Sequence, residues 1–216
     1  MRDRAQILKS IEDCGLIVVV RAESARQAME IAQAVAQGGI SAVEITMTVP
    51  DAVSVLKEAR KILPQDILLG AGTVLDGKTA QACITAGAEF IVSPVLNLDV
   101  VKACRKSGKV VIPGAFTPTE IMAVVRSGAD IVKLFPASIG GPELVKDLRG
   151  PFPALKLLPT GGVNLENAGQ FIRAGAFAVA VGGNIVDKKA VAEGNYAVVT
   201  QNARKFVAAV KSARSS

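Results

Sequence analysis

The chain is 216 residues long and half of it is apolar, enough for one domain with a large core. It contains no histidine, which excludes Ser-His and Cys-His catalysis and the usual histidine-ligated zinc sites; proton transfer falls to Glu, Asp, Lys, Tyr or Cys. The formal net charge of +6 is partly local, at Lys205, Lys211 and Arg214; it reads as a solvated helix face or as attraction for small anions, and no aromatic-interleaved basic patch argues for nucleic acid. The N-terminal stretch MRDRAQILKSIEDCG is too charged for a secretory signal and predicts a helix over 4–13. Short β-branched runs follow at 16–21, 42–47, 67–73, 90–94, 110–115, 131–136, 155–161 and 178–183. Amphipathic stretches such as 25–37, 52–62 and 118–127 separate them. No apolar run is long enough to span a bilayer. Cys14, Cys83 and Cys104 form no pair or metal spacing, so a reducing, cytoplasmic setting is expected, with Cys83 and Cys104 as core fillers.

Eight strands alternating with helices predict βαβ units on a parallel sheet, with residues 1–216 as a single domain. Several helices end in Gly just before the next strand, at QGGI (37–40), TAGAEF (85–90), RSGADIV (126–132) and RAGAFAV (173–179). The recurrence indicates a repeated unit. An open doubly wound sheet would usually carry a Gly-rich turn after its first strand. Here RAESARQ follows the first strand, and the Gly-rich turns follow the last two, as in β/α barrels. The expected fold is therefore a single (β/α)8 barrel of the TIM type with an additional N-terminal helix.

Two charges interrupt the apolar pattern. In IVKLFPA, strand alternation puts Lys133 on one face with Ile131 and Phe135. In AVEITMT it puts Glu44 with Thr46 and Thr48. Both faces are expected to point into the barrel. A buried lysine loses its proton more readily and becomes a nucleophile toward carbonyls, and a nearby carboxylate can shuttle protons. A structural ion pair is the competing reading. Other candidates cluster where strands end: Arg21, Thr73, Pro94, the turn Thr160-Gly161-Gly162 and the turn Gly182-Gly183-Asn184. The two glycine turns suit close approach of backbone N–H groups to a phosphate, aided by a following helix N-terminus, which Asn164 would cap.

These segments (GGISAVEITMTVPDA, LGAGTV, AEFIVSP, IPGAFTPTE, KLFPA and PTGGVN) resemble those of the 2-keto-3-deoxy-6-phosphogluconate aldolase family, which includes 4-hydroxy-2-oxoglutarate aldolases. The resemblance runs from about residue 17 to 186. It implies a compact β/α barrel, a homotrimer, and a reversible cleavage to pyruvate and glyceraldehyde 3-phosphate with neither metal nor cofactor. On this chain it makes Lys133 the Schiff-base lysine and Glu44 the general acid/base. Thr73 would contact pyruvate and Phe135 would pack beside the lysine. Gly161, Gly162, Gly183 and Asn184 would line the phosphate pocket, with Thr160 near the substrate hydroxyls. Many members have Arg where this chain has Thr48, which makes Arg21 the expected partner of the pyruvate carboxylate. Many have Ser where this chain has Asn184, which can still donate a hydrogen bond. An aldolase for 4-hydroxy-2-oxoglutarate or an unphosphorylated keto acid, and a non-catalytic phosphometabolite-binding barrel, are the alternatives. A metal- or base-dependent decarboxylase or synthase would need acidic clusters at the strand ends, which are not found. No membrane partner is expected.

Overall fold

A computed structural model describes residues 2–215. In chain order the elements are α1 (Arg4–Cys14), β1 (Leu16–Val20), α2 (Ala25–Gln37), β2 (Ala42–Thr46), α3 (Ala52–Ile62), β3 (Leu68–Gly72), α4 (Gly77–Thr85), β4 (Phe90–Val92), α5 (Leu98–Lys106), β5 (Val110–Ile112), β6 (Gly114–Ala115) and α6 (Pro118–Arg126). They continue with β7 (Val132–Leu134), α7 (Gly141–Arg149), β8 (Leu157–Pro159), α8 (Ala168–Arg173), β9 (Val179–Val181), α9 (Lys188–Ala192) and α10 (Tyr196–Arg214). No helix among the described residues is long and apolar enough to cross a membrane.

All strand pairs are parallel, and they form a curled sheet in two ladders: β5-β4-β3-β2-β1-β9 and β6-β7-β8. Each expected strand has a counterpart, but the expected 110–115 strand is split between the two ladders. Pro113 sits at the break. It has no N–H to give a ladder, while its carbonyl still accepts from Lys133 N–H at 2.9 Å. A single bridge, Thr160 to Ala180, joins β8 to β9. The expected eight-stranded barrel thus appears in coarser form, as an α/β fold with a curled parallel sheet.

Alternation sorts the strand side chains into two cores. Ile17, Leu68, Phe90, Val110 and Leu158 belong to an inner cluster. Val18, Val43, Leu69, Val111 and Leu134 pack outward with the helices. Ile7 and Ile11 of α1 join the inner cluster and close the end where the strands begin, each burial worth about 2 kcal/mol. The recurrent helix-ending glycines adopt positive φ as expected, at Gly39, Gly87, Gly128 and Gly175.

The same end of the sheet is tied by arginines. Arg105 of α5 donates to Gly128 O at 2.9 Å, and Arg149 of α7 donates to Gly175 O at 2.9 Å and Pro153 O at 3.0 Å. Arg60 of α3 donates to Ile67 O at 2.9 Å and Pro64 O at 2.8 Å. Arg214 donates to Asp13 O at 2.8 Å and Phe177 O at 3.3 Å, so this residue is a tie rather than part of a solvated face. Cys83 and Cys104 are buried, as expected of core fillers, and burial pushes their thiols up to about 11 and about 12.

Candidate active site

Lys133 lies at the centre of β7, opposite Gly114 on β6 and Leu158 on β8. It is 4% exposed, and its Nζ sits 5.1 Å from the centroid of the Phe135 ring. Glu44 lies at the centre of β2, opposite Val19 and Gly70, and is 1% exposed. Neither of its carboxyl oxygens has a hydrogen-bond partner among the described residues. The competing reading, a structural ion pair, is not what the structure shows: no salt bridge joins Lys133 and Glu44 among the described residues. Their charges nonetheless influence one another.

Burial drives both groups toward their neutral forms. Desolvation raises the Glu44 carboxyl above its ordinary value, opposed by the positive charges of Lys133 and Arg21. Desolvation lowers the Lys133 ammonium below its ordinary value, opposed by Glu44 and assisted by Arg21. A neutral amine facing a protonated carboxyl is suited to attack a ketone and then to expel the resulting hydroxyl as water.

The position of the acid depends on a glycine that the sequence reading quoted only as part of a motif. A Cβ placed on Gly72 would fall 1.8 Å from Glu44 Oε1 and 2.4 Å from its Cδ. The carboxyl therefore rests directly on the β3 backbone. The next residue, Thr73, has φ of 59°, and Asp51 is the one other non-glycine with positive φ among the described residues. A β-branched residue is strained in that conformation.

The remaining candidates fall into neighbouring groups. Arg21 and Thr48 line one cleft with Gly182 and Gly183. Arg21 has no hydrogen-bond or ion-pair partner among the described residues, and the Thr48 hydroxyl pairs with that of Thr46 at 2.7 Å. The half-buried Pro94 lies with its carbonyl against Gly114, across from Lys133. Gly161 (φ 85°) faces the Phe135 ring. Gly162 (φ 78°) is approached so closely by Ser138 that a Cβ would lie 2.5 Å from its Cβ. Thr160 is buried, its hydroxyl donating to Leu158 O at 3.1 Å.

Two expectations are refined. The Asn184 side chain spends one donor within the fold, its Nδ2 donating to Val163 O at 2.8 Å and tying the two glycine turns together, and it keeps a second N–H. A helix does not start directly at the first turn. Asn164 Oδ1 accepts from Glu166 and Asn167 N–H, holding an intervening turn, and α8 begins at Ala168 with Asn167 as its cap residue. Backbone N–H groups of the turns, rather than a helix terminus, are what these segments offer an anion.

A lysine and an unpartnered acid buried in one interior, below glycine turns, is the arrangement anticipated from the aldolase-like motifs. Residues 7–202 match the family described as KDPG and KHG aldolase. The chain belongs to that family. It is 36% identical to the 2-dehydro-3-deoxy-phosphogluconate aldolase of Treponema pallidum over 196 residues, covering 90% of this chain and 92% of that one. It is 31% identical to the KHG/KDPG aldolase of Escherichia coli K12, covering 94% and 96%. Among solved structures, the KDPG aldolase of Legionella pneumophila, with pyruvate captured at low pH as a covalent carbinolamine, superposes with a TM-score of 0.85 at 30% identity, covering 92% and 97%. As a member of this aldolase family the chain is a carbon–carbon lyase.

Proposed function

We propose that this aldolase reversibly cleaves 2-keto-3-deoxy-6-phosphogluconate to pyruvate and glyceraldehyde 3-phosphate through an imine on Lys133. The observation that carries the reading is the buried Lys133 amine beside a buried carboxyl with no partner in the chain. Neutral Lys133 attacks the C2 ketone. Protonated Glu44 gives its proton to the carbinolamine hydroxyl, which leaves as water and yields the iminium. Glu44, now a carboxylate, takes the C4 hydroxyl proton as the C3–C4 electrons flow into the iminium, releasing the aldehyde and leaving an enamine. The enamine regains a proton at C3, and water hydrolyses the imine to free pyruvate and restore Lys133. Arg21, with Thr48, holds the pyruvate carboxylate in place of the more usual Arg at position 48. Thr73 and Pro94 border the pyruvate part and Phe135 packs beside the amine. Thr160 serves the substrate hydroxyls, while the N–H groups of Gly161, Gly162, Gly182, Gly183 and Asn184 cradle the phosphate.

Borohydride reduction in the presence of pyruvate tests the assignment. Mass spectrometry is expected to find the adduct on Lys133, and Lys133→Ala should abolish it; a normal adduct yield in that variant would refute the mechanism. The name of the E. coli relative favours one second reading, cleavage of 4-hydroxy-2-oxoglutarate. Pyruvate release from a panel of phosphorylated and unphosphorylated 2-keto acids separates the two.

We further take the chain as one barrel domain, a cytoplasmic homotrimer in which the two ladders act as a closed eight-stranded barrel. The Thr160–Ala180 bridge and the continuity of chain through Pro113 support closure. Exposed Leu75, Val95 and Ile139, on loops that follow the strands, and Leu98, at the start of α5, support a covered face. Sedimentation at three times the 22.3 kDa protomer mass tests the assembly.

A further inference from the structure

Between the β1–α2 loop and α9 runs a cleft of about 380 Å³, from Arg21 and Thr48 past Gly182 and Gly183 to Gln27 and Lys188. Arg21 and Lys188 are its two cations, and Glu23 is the one carboxylate among its described lining residues. Neither cation is engaged in an ion pair or hydrogen bond among the described residues. Asp187, next to Lys188, is occupied in capping α9 through Ala190 N–H at 2.8 Å.

The two cations divide the cleft. Arg21 directly follows β1 and shares this end of the cleft with Thr48, which follows β2, so it stands at the reacting end. Lys188 lies beyond the Gly182-Gly183 turn, at the start of α9. A 2-keto-3-deoxy phosphosugar acid carries a carboxylate at one end and a phosphate dianion at the other. Backbone N–H groups orient a phosphate but bring no net charge, and neither does the neutral Asn184 amide, which spends one donor on Val163. A nearby ammonium supplies the missing countercharge as a point charge.

A larger concavity, about 780 Å³, at the opposite end of the strands also holds cations: Arg149, Lys156, Arg173 and Arg214. There Arg149 and Arg214 are bonded to backbone carbonyls, and Lys156 lies over the Phe177 ring, so the fold itself accounts for much of that basic character. No comparable engagement accounts for Lys188.

We propose that Lys188 is a specificity-determining residue of the aldolase, taking the phosphate of the substrate whose carboxylate lies on Arg21. This rests on the phosphorylated-substrate reading above. The test compares kcat/KM for 2-keto-3-deoxy-6-phosphogluconate with that for unphosphorylated 2-keto-3-deoxygluconate. Lys188→Gln is expected to lower that preference roughly ten-fold, through KM rather than kcat, and Lys188→Glu roughly a hundred-fold. Lys188→Arg is expected to keep most of it. The salt dependence of kcat/KM for the phosphorylated substrate should flatten in Lys188→Gln. Lys188 is exposed, so the variants should fold, and thermal unfolding checks this. If the native protein prefers the phosphorylated substrate and both variants keep that preference within about two-fold, the role of Lys188 is refuted alone. If the native protein shows no preference, the phosphate reading falls and takes this proposal with it.

Discussion

Where the strands begin, Asp130 has a side chain only 1% exposed, yet each oxygen is occupied: one pairs with Arg4 and the other accepts Val111 N–H at 3.0 Å. Glu89, 4% exposed, pairs with Arg2 at 2.8 Å and lies 3.6 Å from Arg60. Midway toward the other end, Glu44 is buried just as deeply with neither oxygen occupied. Burial of charge is thus common to both regions; what separates them is partnership. Paired carboxylates at the base fasten α1 and the loops before the strands, and the arginine ties among those loops do the same with carbonyls. An unpaired carboxylate stabilises nothing, because its desolvation cost is not offset by any bond within the chain. The contrast supports the role proposed for Glu44.

The contrast is most severely tested by Gly72→Ala. The new methyl must displace the Glu44 carboxyl, and turnover is expected to fall roughly a hundred-fold, the lower range for losing a positioned acid/base. Pyruvate–borohydride trapping kinetics with a circular dichroism control measure it; a variant that folds and turns over normally would show that the seat of Glu44 is unimportant. Next in size is Asp130→Ala, which strips partners from Arg4 and Val111 N–H. Arg4 is partly exposed and recovers water, so a loss of about 2 kcal/mol in urea unfolding is expected, with the trapping rate per folded molecule retained. A trapping defect there would blur the division between base and site.

The smallest effects are shifts in pH profile. Imine formation requires the neutral amine, so the rate falls as pH drops through the Lys133 pKa. That pKa is lowered chiefly by burial, raised by the Glu44 charge and lowered by Arg21. Where Glu44 is ionised it raises the Lys133 pKa, so Glu44→Gln should move the acid limb to lower pH. Arg21→Gln removes a lowering one, so it should move to higher pH. Limbs that move in the same direction in the two variants would contradict the arrangement of the three charges.

Much of this was legible in the sequence. Period-two alternation placed Lys133 and Glu44 on the inward faces, and a charge within a β-branched run is conspicuous however the strands are arranged. The split at Pro113 was not anticipated, although a proline without an N–H gave a local signal for it. The seat of Glu44 on Gly72 and the tie from Asn184 to Val163 gave none, because each depends on residues brought together by the register and loop path of different strands. The missing contact between Lys133 and Glu44 was equally invisible, since alternation fixes the side on which a residue points and not the distance across the interior.

Thr73 carries a different lesson. The chain uses glycine at ten described positions with positive φ, yet keeps a β-branched residue at this one. Glycine there would relieve a strain on the order of 1 kcal/mol, so the threonine is a poor choice for stability alone. A consensus-minded engineer would replace it and would gain robustness while deleting the hydroxyl that follows the seat of Glu44. With the pyruvate contact proposed for Thr73, the backbone outlier marks a place where stability and activity would pull in opposite directions.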